Sequence, residues 1–195
     1  FVGLSSQTLG AIKLGRVNSN ALDAWGVGSV FGTALGSGYG SNGNIFTRYS
    51  TAAAVSAYQT APTRFNNAIR YESPVFSGLT GSVLYVPKNN QTGGAVAAGD
   101  STDKATNRQG VSEYGLKYTN GALNVAYASQ KISAGDLGTV DLVSTTGATA
   151  LAANKSNKLN ILSANYTMGA ATLLGGYWTE KLVNAAGVNT TDAKG

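Results

Sequence analysis

The sequence predicts an all-β fold, a transmembrane antiparallel β-barrel, and three observations carry that expectation. Runs of about ten residues alternate between apolar and polar side chains, the period-2 signature of half-buried strands. These runs are joined alternately by tight turns and long loops, the asymmetry of barrels with short periplasmic turns and long outer loops. Tyrosines (Tyr71, Tyr118, Tyr166) recur beside the short turns, where an interfacial aromatic girdle sits.

In chain order the strands are expected over about 1–6, 10–17, 64–74, 79–88, 110–119, 122–132, 158–167 and 170–182. Short turns fall at Gln7–Gly10, Val75–Gly78, Asn120-Gly121 and Met168-Gly169, with Asn-Gly the strongest two-residue hairpin signal. Long polar loops fill 89–108 and 133–157, and the chain trails off in a fourth loop after Leu182. Alternation assigns the faces. Tyr114, Leu116 and Tyr118 oppose Glu113, Gly115 and Lys117, and Leu123, Val125 and Tyr127 oppose Asn124, Ala126 and Ala128. Leu162, Ala164 and Tyr166 likewise oppose Ser163, Asn165 and Thr167. The lipid face is expected to carry Ile12, Leu14, Ile69, Val83, Leu116, Leu123, Val125, Leu162 and Leu173.

Composition excludes several classes. No apolar run approaches the roughly 20 residues of a membrane helix. Cysteine and histidine are both absent, so a disulfide framework is ruled out, a zinc site is disfavoured, and no cofactor or metal is expected. Net charge is +5, yet the basic residues are scattered, so nucleic acid is not an expected partner. No nucleophile motif stands in a plausible context. A facing carboxylate pair of the kind glycosidases use rests on Glu72 and Glu113 alone, so an enzyme is not expected.

The segment Asn18–Thr63 organises the rest. It spans 46 residues with only two charges, Asp23 and Arg48, and is rich in glycine and aromatics. A connection this long is functional or disordered in most domains, and disordered segments are poor in aromatics. It is read as a loop folded into the barrel, narrowing the bore. An eight-stranded barrel has its interior filled by side chains, whereas 16–18 strands leave an aqueous channel. The eight strands are therefore expected to be about half of a wider barrel, and the chain a fragment of a longer one.

Leu9-Gly-Ala-Ile-Lys-Leu-Gly-Arg16, then the long loop, then Arg64-Phe-Asn-Asn-Ala-Ile-Arg-Tyr-Glu-Ser-Pro-Val-Phe-Ser-Gly78 resembles the general porins of Gram-negative outer membranes. The likeness is greatest to the trimeric porins of β-proteobacteria, and Tyr114–Tyr118 and Leu162–Gly169 fit their later strands. The resemblance implies an outer-membrane location and a 16-stranded barrel with strands four to eleven present here. It implies a homotrimer in contact with outer-membrane lipid and lipopolysaccharide, passing small hydrophilic solutes and anions. It also implies that Asn18–Thr63 is the third, inward-folded loop, facing an arginine cluster to which Arg16 and Arg64 correspond. Where the family opposes those arginines with several carboxylates, this loop offers Asp23 alone.

Read from the residues, the pore-lining set is Arg16, Arg64, Arg70, Lys13, Lys117 and Asp23, with Glu72 and Glu113 as further acidic wall positions. Basic rings favour anions. Arg16 shares strand parity with Ile12 and Leu14, so facing the bore requires a break at Gly15. Asp100, Asp103, Asp136, Asp141 and Asp192 are placed in outer loops, binding divalent cations or keeping the loops soluble. The alternative from another class is a secreted or surface-layer β-rich binding protein using its long loops, which extracts without detergent.

Overall fold

The computed structural model describes residues 1–29, 64–87, 110–133, 154–184 and 189–194. They form one nine-stranded antiparallel sheet in which each strand pairs with its sequence neighbours. The strands are β1 (Val2–Ser6), β2 (Gly10–Asn18), β3 (Arg64–Glu72), β4 (Leu79–Val86), β5 (Gly110–Asn120), β6 (Leu123–Ser133), β7 (Asn154–Met168), β8 (Ala171–Asn184) and β9 (Asn189–Lys194). One helix, α1 (Asn20–Gly28), follows β2. The architecture is that of part of a transmembrane antiparallel β-barrel. No described helix is long and apolar enough to cross a membrane.

Three expectations are corrected. The chain does not trail off in a loop: β8 runs on to Asn184 and β9 pairs with it, so Asp192 lies in a strand opposite Lys181. The other four acidic residues assigned to outer loops fall outside the described residues. The segment 18–63 begins as the last residue of β2 and then a helix, with 30–63 outside the described residues. Two of the four short turns are displaced by one position. Asn120 pairs with Leu123 and Met168 with Ala171, leaving Gly121-Ala122 and Gly169-Ala170 as the two-residue loops. Gly121 (φ +57°) and Gly169 (φ +59°) hold the left-handed first position while the alanines do not, the II′ pattern that follows right-handed strand twist.

The two faces of the sheet differ in kind. Outward stand Ile12, Leu14, Ile69, Val83, Leu116 and Leu162, each 40–51 % exposed, with Tyr85, Tyr114, Tyr127 and Tyr177 among them. Cross-strand register keeps this face continuous: Val83 opposes Tyr114, Leu116 opposes Tyr127, and Tyr127 opposes Leu162, which opposes Tyr177. An apolar face of this extent left open on a monomer marks an interaction surface. On a barrel wall that surface is the one turned to hydrocarbon. Tyr71 donates its hydroxyl to the carbonyl of Leu9 at 2.9 Å, tying β3 to the β1–β2 turn at the short-turn end.

The other face is covered by α1, which packs on β5, β6, β7 and β8. Ser19 caps the helix, its Oγ accepting from Leu22 N at 3.0 Å, a contact worth about 1 kcal/mol. Ala21, Ala24 and Trp25 form one cluster with Ala126, Ala128, Leu159, Ile161 and Trp178. A second cluster, Val17, Ala68, Leu84, Val86 and Val111 with Phe65, lies over β2–β5. Small residues in the wall let the helix approach closely. A Cβ on Gly28 would lie 2.9 Å from the Gly175 carbonyl oxygen and from Ser163. The chain after β2 thus turns inward at once, and Asn20–Gly28 lies against the wall.

Candidate functional site

Two polar anchors fix the start and end of α1. The carboxylate of Glu113, fully buried, accepts from Asn20 N at 2.6 Å and from Gln130 Nε2. A negative group at the helix N-terminus also faces the positive end of the helix dipole. Asn20 Oδ1 accepts from Ser82 Oγ at 2.9 Å. At the other end Asn165 Nδ2 donates to the Val27 carbonyl at 2.9 Å, and Asn124 Nδ2 donates to Asn165 Oδ1 at 2.9 Å. Glu113 therefore lies under the helix rather than open in the bore. The register that opposes Glu113 to Gln130 follows from the Gly121-Ala122 turn and not from the Asn120-Gly121 turn read from the sequence, and the helix above it was not legible there either.

Beside α1, four charges alternate in a chain. Lys13 Nζ donates to Glu72 Oε2 at 2.6 Å, and Arg70 Nη2 donates to Glu72 Oε1 at 2.8 Å and to Asp23 Oδ2 at 2.5 Å. Arg70 Nη1 donates to the Asn18 carbonyl at 2.8 Å. Arg70 is only 5 % exposed, because its guanidinium is enclosed between the wall and the helix it holds. The sequence placed Arg70 in the pore as a cation acting on solutes, but Asp23 and Glu72 answer its charge. Breaking one partner of a buried pair leaves the other uncompensated, so the chain Lys13–Glu72–Arg70–Asp23 acts as a latch between β2, β3 and α1.

Two grooves flank the latch, and Asp23, Arg70 and Glu72 line both. The first, about 610 Å³, is also lined by Phe1, Lys13, Arg16 and Arg64. The second, about 660 Å³, is also lined by Lys117, Asn124 and Tyr127. Arg64 is exposed and its Nε donates to Asn18 Oδ1 at 3.0 Å. Arg16 is exposed where the β2–β3 register shifts: Gly15 pairs with Ala68 and Val17 with Phe65, so Asn66 and Asn67 both stand against Arg16. Gly15 (φ +112°) and Asn67 (φ +53°) take up the bulge. Lys117 is exposed on the same face as Glu113 and Gly115. Within the described residues the latch is balanced, two cations against two carboxylates, and Arg16, Arg64 and Lys117 remain as exposed cations lining the grooves. Among the described residues no three carboxylates converge as a metal site requires.

A sequence profile described as Gram-negative porin matches residues 1–195. No curated protein sequence matches the chain at a significant level. Among solved structures, the anion-selective porin from Comamonas acidovorans superposes with a TM-score of 0.58 at 22 % identity, covering 98 % of this chain and 48 % of that one. The outer-membrane protein OmpT of Vibrio cholerae gives a TM-score of 0.53 at 14 % identity, covering 93 % of this chain and 46 % of that one. A variant of the same Vibrio cholerae protein lacking loop L8 gives 0.56 at 15 %, covering 90 % and 47 %. The chain thus spans just under half the length of these barrels.

Proposed function

The chain belongs to the Gram-negative porin family, whose barrels lie in the outer membrane, and we propose that it supplies about half the wall of a water-filled channel. The channel passes small hydrophilic solutes and ions by diffusion and prefers anions; three copies form the working assembly. The observation that carries this reading is the two-faced wall. One face is apolar and open, and the other carries polar grooves narrowed by an inward-lying helix. The preference for anions rests on Arg16, Arg64 and Lys117, since Lys13 and Arg70 are balanced by Glu72 and Asp23. The description of the Comamonas acidovorans protein as anion-selective agrees with that sign.

Thiol chemistry tests the reading directly, because the chain has no cysteine. In the full-length protein in planar bilayers, Arg64→Cys and Lys117→Cys are expected to react with a small anionic methanethiosulfonate. Each reaction should lower the chloride current in discrete steps. Leu116→Cys, on the outer face, should leave the current unchanged. Current that responds at Leu116 and ignores Arg64 and Lys117 would reverse the assignment of faces.

A further inference from the structure

The two grooves share the latch but differ in charge. Around Asp23, Arg70 and Glu72, the groove toward the long-loop end adds Lys13, Arg16 and Arg64, so cations outnumber carboxylates there. The groove toward the short-turn end adds Lys117 alone, which balances the two signs among the described residues. Its charges are also set apart. Asp23 Oδ2 and Glu72 Oε1 converge on one nitrogen, Arg70 Nη2. Lys13, which also answers Glu72, lines only the other groove. From the short-turn side the latch is therefore an acidic pole, two carboxylates against one guanidinium. Lys117 is the opposite pole: it is exposed and has no ion-pair partner among the described residues.

The register fixes the spacing of the poles. Glu72 opposes Ser82 of β4, Ser82 opposes Gly115 of β5, and Lys117 follows two residues later opposite Thr80. Two strand spacings and two residue rises separate the backbones of Glu72 and Lys117 by about 12 Å along the wall. Side chains that line the same groove bridge part of that distance, and an extended dipeptide of about 7 Å fills the rest. The floor between the poles is polar and uncharged, with Ser82 and Thr80 on the intervening strand. Ala24 and Val27 of α1 supply an apolar side.

We infer that this groove is a binding site for small zwitterions, α-amino acids and dipeptides, with the solute's ammonium at Asp23 and Glu72 and its carboxylate at Lys117. The Asp23 side chain is 44 % exposed, and a carboxylate has about four acceptor positions, so it accepts a second donor beside Arg70. A simple anion drawn to Lys117 meets the two carboxylates, and a simple cation drawn to the carboxylates meets Lys117 and Arg70. Like charges brought together oppose binding, so a solute carrying both signs is favoured over either. The inference rests on the reading of this wall as one side of a water-filled channel, and it adds a substrate class that the anion preference does not contain.

The test is current block of the full-length channel in planar bilayers by three related probes. Glycylglycine carries both charges, N-acetylglycine lacks the ammonium, and glycylglycine amide lacks the carboxylate. Glycylglycine is expected to block at a concentration about tenfold below that of either analogue, the difference one charged hydrogen bond makes. Lys117→Gln should raise the blocking concentration of glycylglycine about tenfold and leave that of glycylglycine amide no higher, while Lys117→Arg should keep the wild-type block. N-acetylglycine blocking as well as glycylglycine would overturn the site and assign Lys117 to anions alone. A glycylglycine block indifferent to Lys117→Gln would overturn it too. In both cases the channel still conducts and the porin reading stands; a protein that opens no channel at all would bring down both.

Discussion

Leu116→Lys is expected to destabilise the folded barrel in lipid vesicles by about 2–4 kcal/mol, while Leu174→Lys changes it by less than about 1 kcal/mol. The two sites carry the same residue on opposite faces. Leu116 lies outward between Val83's strand and Tyr127, 51 % exposed, and Leu174 is 37 % exposed on the side of Trp178 and Ser163. In a water-soluble sheet both would be half-open surface positions, where substitutions stay within about 0.5 kcal/mol. In a membrane wall the ammonium at Leu116 must enter hydrocarbon, whereas at Leu174 it meets the aqueous lumen. Urea unfolding of the two full-length variants, followed by tryptophan fluorescence, separates the cases. Equal costs at the two sites would return the chain to a soluble sheet.

The second large effect is expected at the helix anchor. Glu113→Ala removes the acceptor from two buried donors, Asn20 N and Gln130 Nε2. Each donor left unsatisfied costs about 1–3 kcal/mol, and part is regained because a buried carboxylate no longer has to be desolvated. A net loss of about 2–4 kcal/mol follows, measured by the same unfolding. Glu113→Gln should cost roughly 1 kcal/mol, since its amide oxygen accepts from Asn20 N and Gln130 turns its own oxygen toward the new amide nitrogen. What it loses is the negative charge at the helix N-terminus. Because the anchor holds the inward-lying helix, single-channel records of Glu113→Ala should also show frequent substates that Glu113→Gln lacks. A quiet, fully stable Glu113→Ala protein would remove the anchor from the account.

The strand faces were legible in the sequence because period-2 alternation reports orientation directly. Ile12, Leu14, Ile69, Val83, Leu116 and Leu162 all stand on the outward face that alternation assigned them. Depth was not legible. Parity puts Ser163 and Glu113 on the lumenal side, where a lysine in place of Ser163 looks harmless, but it does not tell that a helix covers them. Ser163 is 2 % exposed and lies beneath Gly28. The helix itself left a trace, an N-capping Ser19 with Ala21, Leu22, Ala24 and Trp25 at helical spacing and Asp23 in the first turn. At nine residues that trace is short for a period of 3.6 to stand out within a glycine-rich segment. The strand β9 was missed because Asn-Thr-Thr-Asp-Ala-Lys carries no apolar alternation; its pairing with β8 is what makes it a strand. For the charged residues, sequence gave sign and side but not pairing. Arg70 and Lys13 count toward a basic bore until Glu72 and Asp23 are seen beside them.

The claim that Arg16, Arg64 and Lys117 are the wall charges governing permeation is tested most directly by reversal potential. At physiological salt the Debye length is about 8 Å, comparable with the half-width of a constricted pore, so wall charges act on passing ions and their influence fades as salt rises. With the full-length channel in a planar bilayer across a tenfold KCl gradient, the wild type is expected to reverse on the chloride side of zero, less so at molar salt. Arg64→Glu should move the reversal potential toward zero or past it, and adding Arg16→Glu and Lys117→Glu should carry it to the potassium side, with conductance changing less than selectivity. A cation-selective wild type, or a reversal potential indifferent to all three substitutions, would contradict the account.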